Sequence, residues 1–243
     1  MDATTAKQAI GALFAKLCLD SGRCGVIAAV PAIAVRLLPE QEQYLSERLG
    51  SLGRPANFTA VSVGLLYRED EMLAVPATWQ TRTSSSDRWN EYARAYRELN
   101  ELLNEITHRM ASEFGGVSEP ATLSGWAGTV HRVEDYFAHC VSHRAFAAAA
   151  DVGWRGRHGL IVTPEAGPAL RFATVFLPFA VEAGPRELAG CGDCQACVEV
   201  CPILRRNRGY REGCRRRLRA LGLADEVCGI CVRVCWSRIT ARD

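Results

Sequence analysis

Lysine is nearly absent from this 243-residue chain: it stands only at Lys7 and Lys16, so almost all of the 29 basic residues are arginine. That bias alone carries no functional weight. Long apolar runs are missing as well. No stretch reaches the ~18 apolar residues that a membrane span needs, so no contact with a bilayer is expected. The opening, MDATTAKQAIGALFAKLCLD, lacks a charged start followed by a long apolar stretch, and it lacks a twin-arginine pair. A cytoplasmic protein is expected. Thiols stay reduced there, which argues against disulfides. No Ser–His–Asp set, phosphate loop or paired-carboxylate signal stands out. Glu134 and Asp135 are adjacent, and neighbours in a helix point in different directions. Repeats and low-complexity tracts are missing too.

Cysteine is what the chain has in quantity, and eight of the 11 cysteines fall in the last 53 residues. Cys191, Cys194, Cys197 and Cys201 form C-x2-C-x2-C-x3-C, with Pro202 next. Cys214 stands alone, and Cys228, Cys231 and Cys235 form C-x2-C-x3-C. Steps of three let one tight turn bring successive thiolates to a common point. The first run is the bacterial ferredoxin pattern, in which the fourth cysteine ligates the other cluster. Proline suits the helix start that follows, because no backbone donor is lost there. Two [4Fe–4S] clusters are therefore expected. Cys191, Cys194, Cys197 and Cys235 would hold one, and Cys201, Cys214, Cys228 and Cys231 the other. Two Zn(Cys)4 sites are the rival reading. The third cysteine at a further x2 step, then x3-Cys-Pro, is not a zinc-knuckle pattern.

Net charge is +2 but unevenly spread. Residues 186–243 hold 12 arginines against 7 acids, a net +5, which leaves −3 for the first 185. Eight arginines cluster between Ile203 and Ala220. They suit an anionic partner, such as nucleic acid or an acidic redox protein. They equally suit charge compensation for an anionic cluster. Only Tyr210 interleaves with them, so nucleic acid is not favoured.

Periodicity predicts an amphipathic helix over 4–20 and an apolar strand over 25–35 that bends at Pro31. A polar helix follows over 37–49, ended by Gly50, and a buried strand over 58–67. The polar stretch 74–87 reads as a loop whose Ser84–Asp87 run caps the next helix. The longest helix is predicted over 88–114, with Leu99, Leu102, Leu103, Ile106 and Met110 as its stripe. A further helix covers 133–150. A hairpin of 160–163 and 170–179 then closes across a Pro164–Pro168 turn. The fold class expected is α+β: an α/β core over 1–185, a hinge near Ala183–Pro185, and a two-cluster module over 186–243.

From Val141 to Trp236 the chain resembles the epoxyqueuosine reductase and corrinoid reductive dehalogenase group. The stretch SHRAFAAAADVGWRGRHGLIVTPEAGPALRF (142–172) is similar to that group's helix, Gly-Trp loop and hairpin, and the cysteines follow in the same order. The resemblance implies a nitroreductase-like core, a ferredoxin-like module with two clusters, and cobalamin between them. It implies an oxidoreductase that passes electrons through the clusters to a corrinoid or a small-molecule substrate. The electron donor would be a protein of ferredoxin or flavodoxin type. A non-catalytic electron carrier is the alternative. The group's proton-donating Asp, about 17 residues before the loop Trp, falls at Phe137, with Asp135 two residues away. Its acid eleven before that Trp falls at His143, and Trp236 replaces the proline after the last cysteine. The chain stops at Asp243, before the helical repeats that engage tRNA in some members.

Candidate proton donors are Asp135, His143 and Tyr96. Gly153, Trp154, Arg157, His158 and Gly159 are candidates to line a flat cofactor. The loop's glycines suit close approach to such a cofactor, or simply a tight turn. It is not a dinucleotide fingerprint, because the G-x-G opening is missing and a strand follows. His139 and His143, at i and i+4 on the expected helix, could share a metal, although DxHxxG is absent. Cys18, Cys24 and Cys140 read as buried free thiols.

Overall fold

The computed structural model describes residues 2–79, 86–122, 133–182, 188, 190–206, 210–220 and 227–241. The expected cap at Ser84–Asp87 and the hinge at 183–185 lie outside the described residues and side chains. Helix α1 (Ala3–Ser21) starts where the Asp2 carboxylate accepts from the amides of Thr4 and Thr5, at 3.1 and 2.9 Å. This is ordinary N-capping. Strand β1 (Gly25–Pro31) ends in the expected bend at Pro31 and passes into a 3-10 turn, Ala32–Ala34. Helix α2 (Pro39–Leu49) and strand β2 (Thr59–Leu66) follow their predicted bounds closely. Helix α3 (Glu69–Ala74) falls just before the predicted loop. Arg23 pairs both its terminal nitrogens with the Glu71 carboxylate, at 2.9 and 2.8 Å, and pins α3 against the start of β1. Helix α4 (Ser86–Phe114) is the long one, and strand β3 (Val117–Glu119) comes directly after it.

The 133–150 stretch is not one helix. A 3-10 turn, Val133–Ala138, is followed by a break, and helix α5 runs only from His143 to Ala149. His139 is exposed and His143 is buried, so they do not share a helical face. The predicted 160–179 hairpin also differs. Strand β5 (Ile161–Val162) pairs with β4 (Trp154–Arg155), while β6 (Leu170–Leu177) pairs with β2 and β3. Only a Thr163–Gly167 bridge closes the turn between β5 and β6. β6 has both edges taken inside the main sheet, so β5 finds its partner elsewhere.

That main sheet is antiparallel in the order β1-β2-β6-β3, with helices on both faces. Alternation sorts the side chains. Val61, Val63 and Leu65 of β2 and Ala173, Val175 and Leu177 of β6 meet Ile10, Phe14, Leu99, Leu103 and Met110 of α1 and α4. The opposite face carries Ala60, Phe172 and Phe176 against Leu45, Leu49, Phe146 and Ala147 of α2 and α5. Phe146 sits edge-on to Phe176, ring centroids 5.3 Å apart. The C-terminal segment supplies four short helices: α6 (Ala196–Val200), α7 (Pro202–Arg205), α8 (Tyr210–Ala220) and α9 (Ile230–Thr240). Among the described residues no helix is long and apolar enough to cross a membrane.

Leu103 is fully buried and Leu19 is 81% exposed. Leu103→Ala is expected to cost about 2–5 kcal/mol, and Leu19→Ala less than about 0.5, in urea unfolding.

Candidate functional site

The first cysteine run builds a knuckle. The amide of Cys194 donates to the carbonyl of Cys191 at 3.1 Å, and Cys197 follows on α6, which packs on α9. Cys201 occupies the N-cap position of α7, with Pro202 at its first turn, as the helix-start argument requires. Cys214 lies within α8, and Cys231 and Cys235 lie one turn apart on α9. A cavity of about 500 Å³ opens at the knuckle, lined by Cys191, Cys194, Asp193, Glu199 and, from α9, Arg238.

The thiols act on one another electrostatically. Burial pushes the Cys231 thiol well above its ordinary range, and Cys214, Cys228, Cys201 and Cys197 push it further. Cys197 is raised by burial, then by Cys191 and Cys194. Cys201, Cys214, Cys228 and Cys197 thus all bear on Cys231, and Cys191 and Cys194 bear on Cys197. Among the described residues no three cysteine, histidine or acidic side chains form a group that could hold a single metal ion.

The core grips this segment at three places. Arg157 donates from Nε to the Cys194 carbonyl at 3.0 Å and from Nη2 to the Gly192 carbonyl at 2.8 Å. Gly229 adopts φ +71°, and any Cβ there would lie 2.7 Å from the Tyr92 ring. Tyr92 in turn stacks on Tyr67 with centroids 4.9 Å apart. The turn at Gly167 packs against the Trp236 backbone and Ile239 of α9. Tyr92 is 3% exposed at this contact. Its signal in the sequence is one apolar position near the start of a long helix.

The other candidates are committed elsewhere. The His143 Nε2–H donates to the Pro120 carbonyl at 2.8 Å, and the Thr174 hydroxyl donates to Nδ1 at 2.9 Å. Burial, with Arg171 and Arg144 adding, pushes this imidazole down to about 4. Its ring is neutral and has no nitrogen left for a substrate. The Tyr96 hydroxyl donates to the Thr122 carbonyl at 3.2 Å and accepts from Arg171 at 3.2 Å, with the Arg171 guanidinium 4.1 Å over its ring. Arg171 also donates to the Asn100 side chain at 3.0 Å. Asp135 is partly buried on the 3-10 turn that follows residue 132.

In the loop, a Cβ at Gly153 would sit 2.3 Å from the Val162 carbonyl oxygen, and one at Gly156 would meet the His158 ring at 2.8 Å. Internal packing therefore accounts for these two glycines. The Gly159 carbonyl accepts from Arg144 at 2.9 Å. His158 accepts from the Leu160 amide through Nδ1 at 3.1 Å, and burial pushes it down to about 4. Its Nε2 and the Trp154 Nε1 are buried with no hydrogen-bond partner among the described residues. Cys18 is buried as expected, Cys140 is half-buried, and Cys24 is exposed.

These features define a mixed helix-and-sheet protein with a cysteine-framed C-terminal segment docked on its core. Comparison with known proteins gives the particular likeness. A segment covering 30% of the chain is 33% identical to an epoxyqueuosine reductase of Alicycliphilus denitrificans and covers 24% of that protein. Another, 26% of the chain, is 37% identical to the Escherichia coli epoxyqueuosine reductase over 20% of its length. The matched segments thus span about a quarter or less of these relatives. The solved epoxyqueuosine reductase of Streptococcus thermophilus matches 94% of this chain and 66% of its own at TM-score 0.48 and 14% identity. One solved with an epoxyqueuosine-modified tRNA stem loop matches 80% of this chain and 53% of its own, at TM-score 0.42 and 19% identity. No protein-family model matches. The chain is similar to the epoxyqueuosine reductases over part of its length.

Two outcomes are expected. Arg157→Ala and Arg157→Lys both lose the forked contact, and amide exchange at 192–195 should quicken about tenfold, read by mass spectrometry. His143 has a folded pKa below its unfolded value of about 6.5. The unfolded chain then binds more protons between the two values. Stability should fall as pH drops from about 6.5 towards 4, with a shallower fall in His143→Gln, measured as urea midpoints.

Proposed function

We propose that this chain is an iron–sulfur oxidoreductase related in chemistry to the epoxyqueuosine reductases. Cys191, Cys194, Cys197 and Cys235 hold one [4Fe–4S] cluster, and Cys201, Cys214, Cys228 and Cys231 the other. The observation that carries this reading is that Cys201 and Cys214, from two other stretches of the sequence, bear on Cys231 together with its neighbour Cys228. The third cysteine at a further x2 step, followed by x3-Cys-Pro, favours cubanes over zinc.

The clusters supply one-electron transfer when bound. The chain's own residues do the rest. Arg157 holds the Cys191–Cys194 knuckle by its carbonyls, and Tyr92 seats the Cys228–Cys231 turn on the core. Both contacts keep the metal-binding segment on the core. The nitroreductase-like core over 1–185 and ferredoxin-like module over 186–243 are part of the proposal. So is an electron acceptor held against that core.

The resemblance makes cobalamin the acceptor. Gly153 and Gly156 pack internally, His158 is buried and Arg157 is engaged at the knuckle. Those residues line neither the cavity between α1 and β1 nor the one at the Cys191–Cys194 knuckle. No step is therefore derived through a corrinoid. Of the three candidate proton donors, Asp135 keeps that role in the proposal, because His143 and Tyr96 are committed to the core. A carrier without its own substrate is the second reading, favoured by the commitment of His143 and Tyr96 to the core.

Anaerobically purified protein should contain about eight irons and eight sulfides per chain, with a dithionite-bleached band and a reduced-cluster EPR signal. Cys231→Ser should abolish one cluster and leave the other. Zinc in place of iron would overturn the reading. Added cobalamin with a shifted corrin spectrum supports the reductase, and no shift supports the carrier.

A further inference from the structure

We propose that the arginine face of α7 and α8 is a docking site for an acidic one-electron carrier protein of flavodoxin type. It would seat the carrier over Cys201, Cys214, Cys228 and Cys231. This rests on the cluster reading above and adds where the electrons enter.

Between Pro202 and Ala220 there are eight arginines and a single acid, Glu212. Two of the proposed cluster ligands belong to the same helices, since Cys201 caps α7 and Cys214 lies in α8. The helices form one surface, for Gly213 of α8 packs so closely on Ile203 that a Cβ would lie 2.9 Å from it.

The five arginines whose side chains are described divide into two sets. Arg215 is 8% exposed and pairs with Glu212 at 3.2 Å, and Arg217 lies 3.4 Å over the Trp79 ring. These turn inward. The Arg216 side chain is 77% exposed with its Nε 3.7 Å from the Glu212 carboxylate, Arg205 is exposed and donates to the Glu199 carbonyl at 2.7 Å, and Arg206 is exposed. Charge compensation for a partly buried cluster is best supplied by the inward set, because solvent screens the outward one. The outward set instead projects a field roughly 8–10 Å into solvent at physiological salt. The first 185 residues carry net −3, so this end alone attracts an acidic protein and orients it.

Single-stranded nucleic acid is the weaker fit. It needs aromatic platforms, and Trp79 is already covered by Arg217. Each encounter would pass one electron from the carrier's reduced flavin to the oxidised cluster, and no bond forms or breaks.

The test uses the full chain with its clusters assembled, and purified flavodoxin as the probe. Iron and sulfide content and the EPR signal report on the clusters separately from docking. In Arg205→Glu/Arg206→Glu/Arg216→Glu, cluster reduction by reduced flavodoxin should slow tenfold or more at low salt, and its salt dependence should flatten. Reduction by photoreduced 5-deazariboflavin should be unchanged. The corresponding triple lysine variant should keep the fast rate. If the glutamate variant takes up no iron, Arg206→Ala/Arg216→Ala provides the same comparison with a smaller expected effect. An unchanged flavodoxin rate overturns the proposal, as does an equal loss with both reductants. So does loss of tRNA stem-loop binding with the flavodoxin rate intact.

Discussion

Thiols crowded into a partly dry site resist ionising together, and that constraint governs the C-terminal segment. Cys231 feels burial and four neighbouring sulfurs at once, and all of them disfavour its thiolate. Cys197 is raised in the same way by burial and by Cys191 and Cys194. Such a gathering is costly unless positive charge enters it. In the proposed reading iron provides that charge. The short helices α6 to α9 have little core of their own, so the sulfurs and the contacts with the α+β body must organise them. Arg157, Tyr92 and Gly167 make those contacts, each from a different element of the body.

The body itself spends its polar groups on structure. His143, Arg171, Asn100, Tyr96 and Glu119 are buried or half-buried, and each is engaged with another part of the fold. Tyr44 donates to the Glu119 carboxylate at 2.9 Å, and Arg48 reaches its other oxygen at 3.3 Å. Groups satisfied so fully stiffen a core and are poor reagents. This explains why residues that looked suited to proton transfer do not present themselves to a ligand. It also explains why the loop at 153–159, rich in glycine, reads as tight packing on β5.

Much of the fold was legible from local pattern. The bounds of α1, α2, β2 and α4 followed from apolar spacing and from Gly50 as a stop. The errors share one cause, which is that pairing is not local. Strand β5 chose β4 over β6 because both edges of β6 were already filled. The stretch 133–150 broke before His143 because that ring is drawn inward to Thr174 and Pro120, partners 31 and 23 residues away. Helix α3 and strand β3 were too short to show a period.

In the candidate site the division is similar. Cysteine spacing marked eight thiols as a candidate ligand set, because ligand geometry at so short a range depends on sequence separation. Proline after Cys201 marked a helix start for the same reason. Which core residues would touch the thiol-bearing segment was not written in any spacing. The Arg157 clamp joins residues 35 and 37 positions apart. The seating of Gly229 on Tyr92 spans more than half the chain, as does the stacking of Arg217 on Trp79. Local order followed from the chain's own periodicities and ligand intervals. Long-range contacts were decided only when the sheet, with both faces covered, left particular surfaces for the last helices to meet.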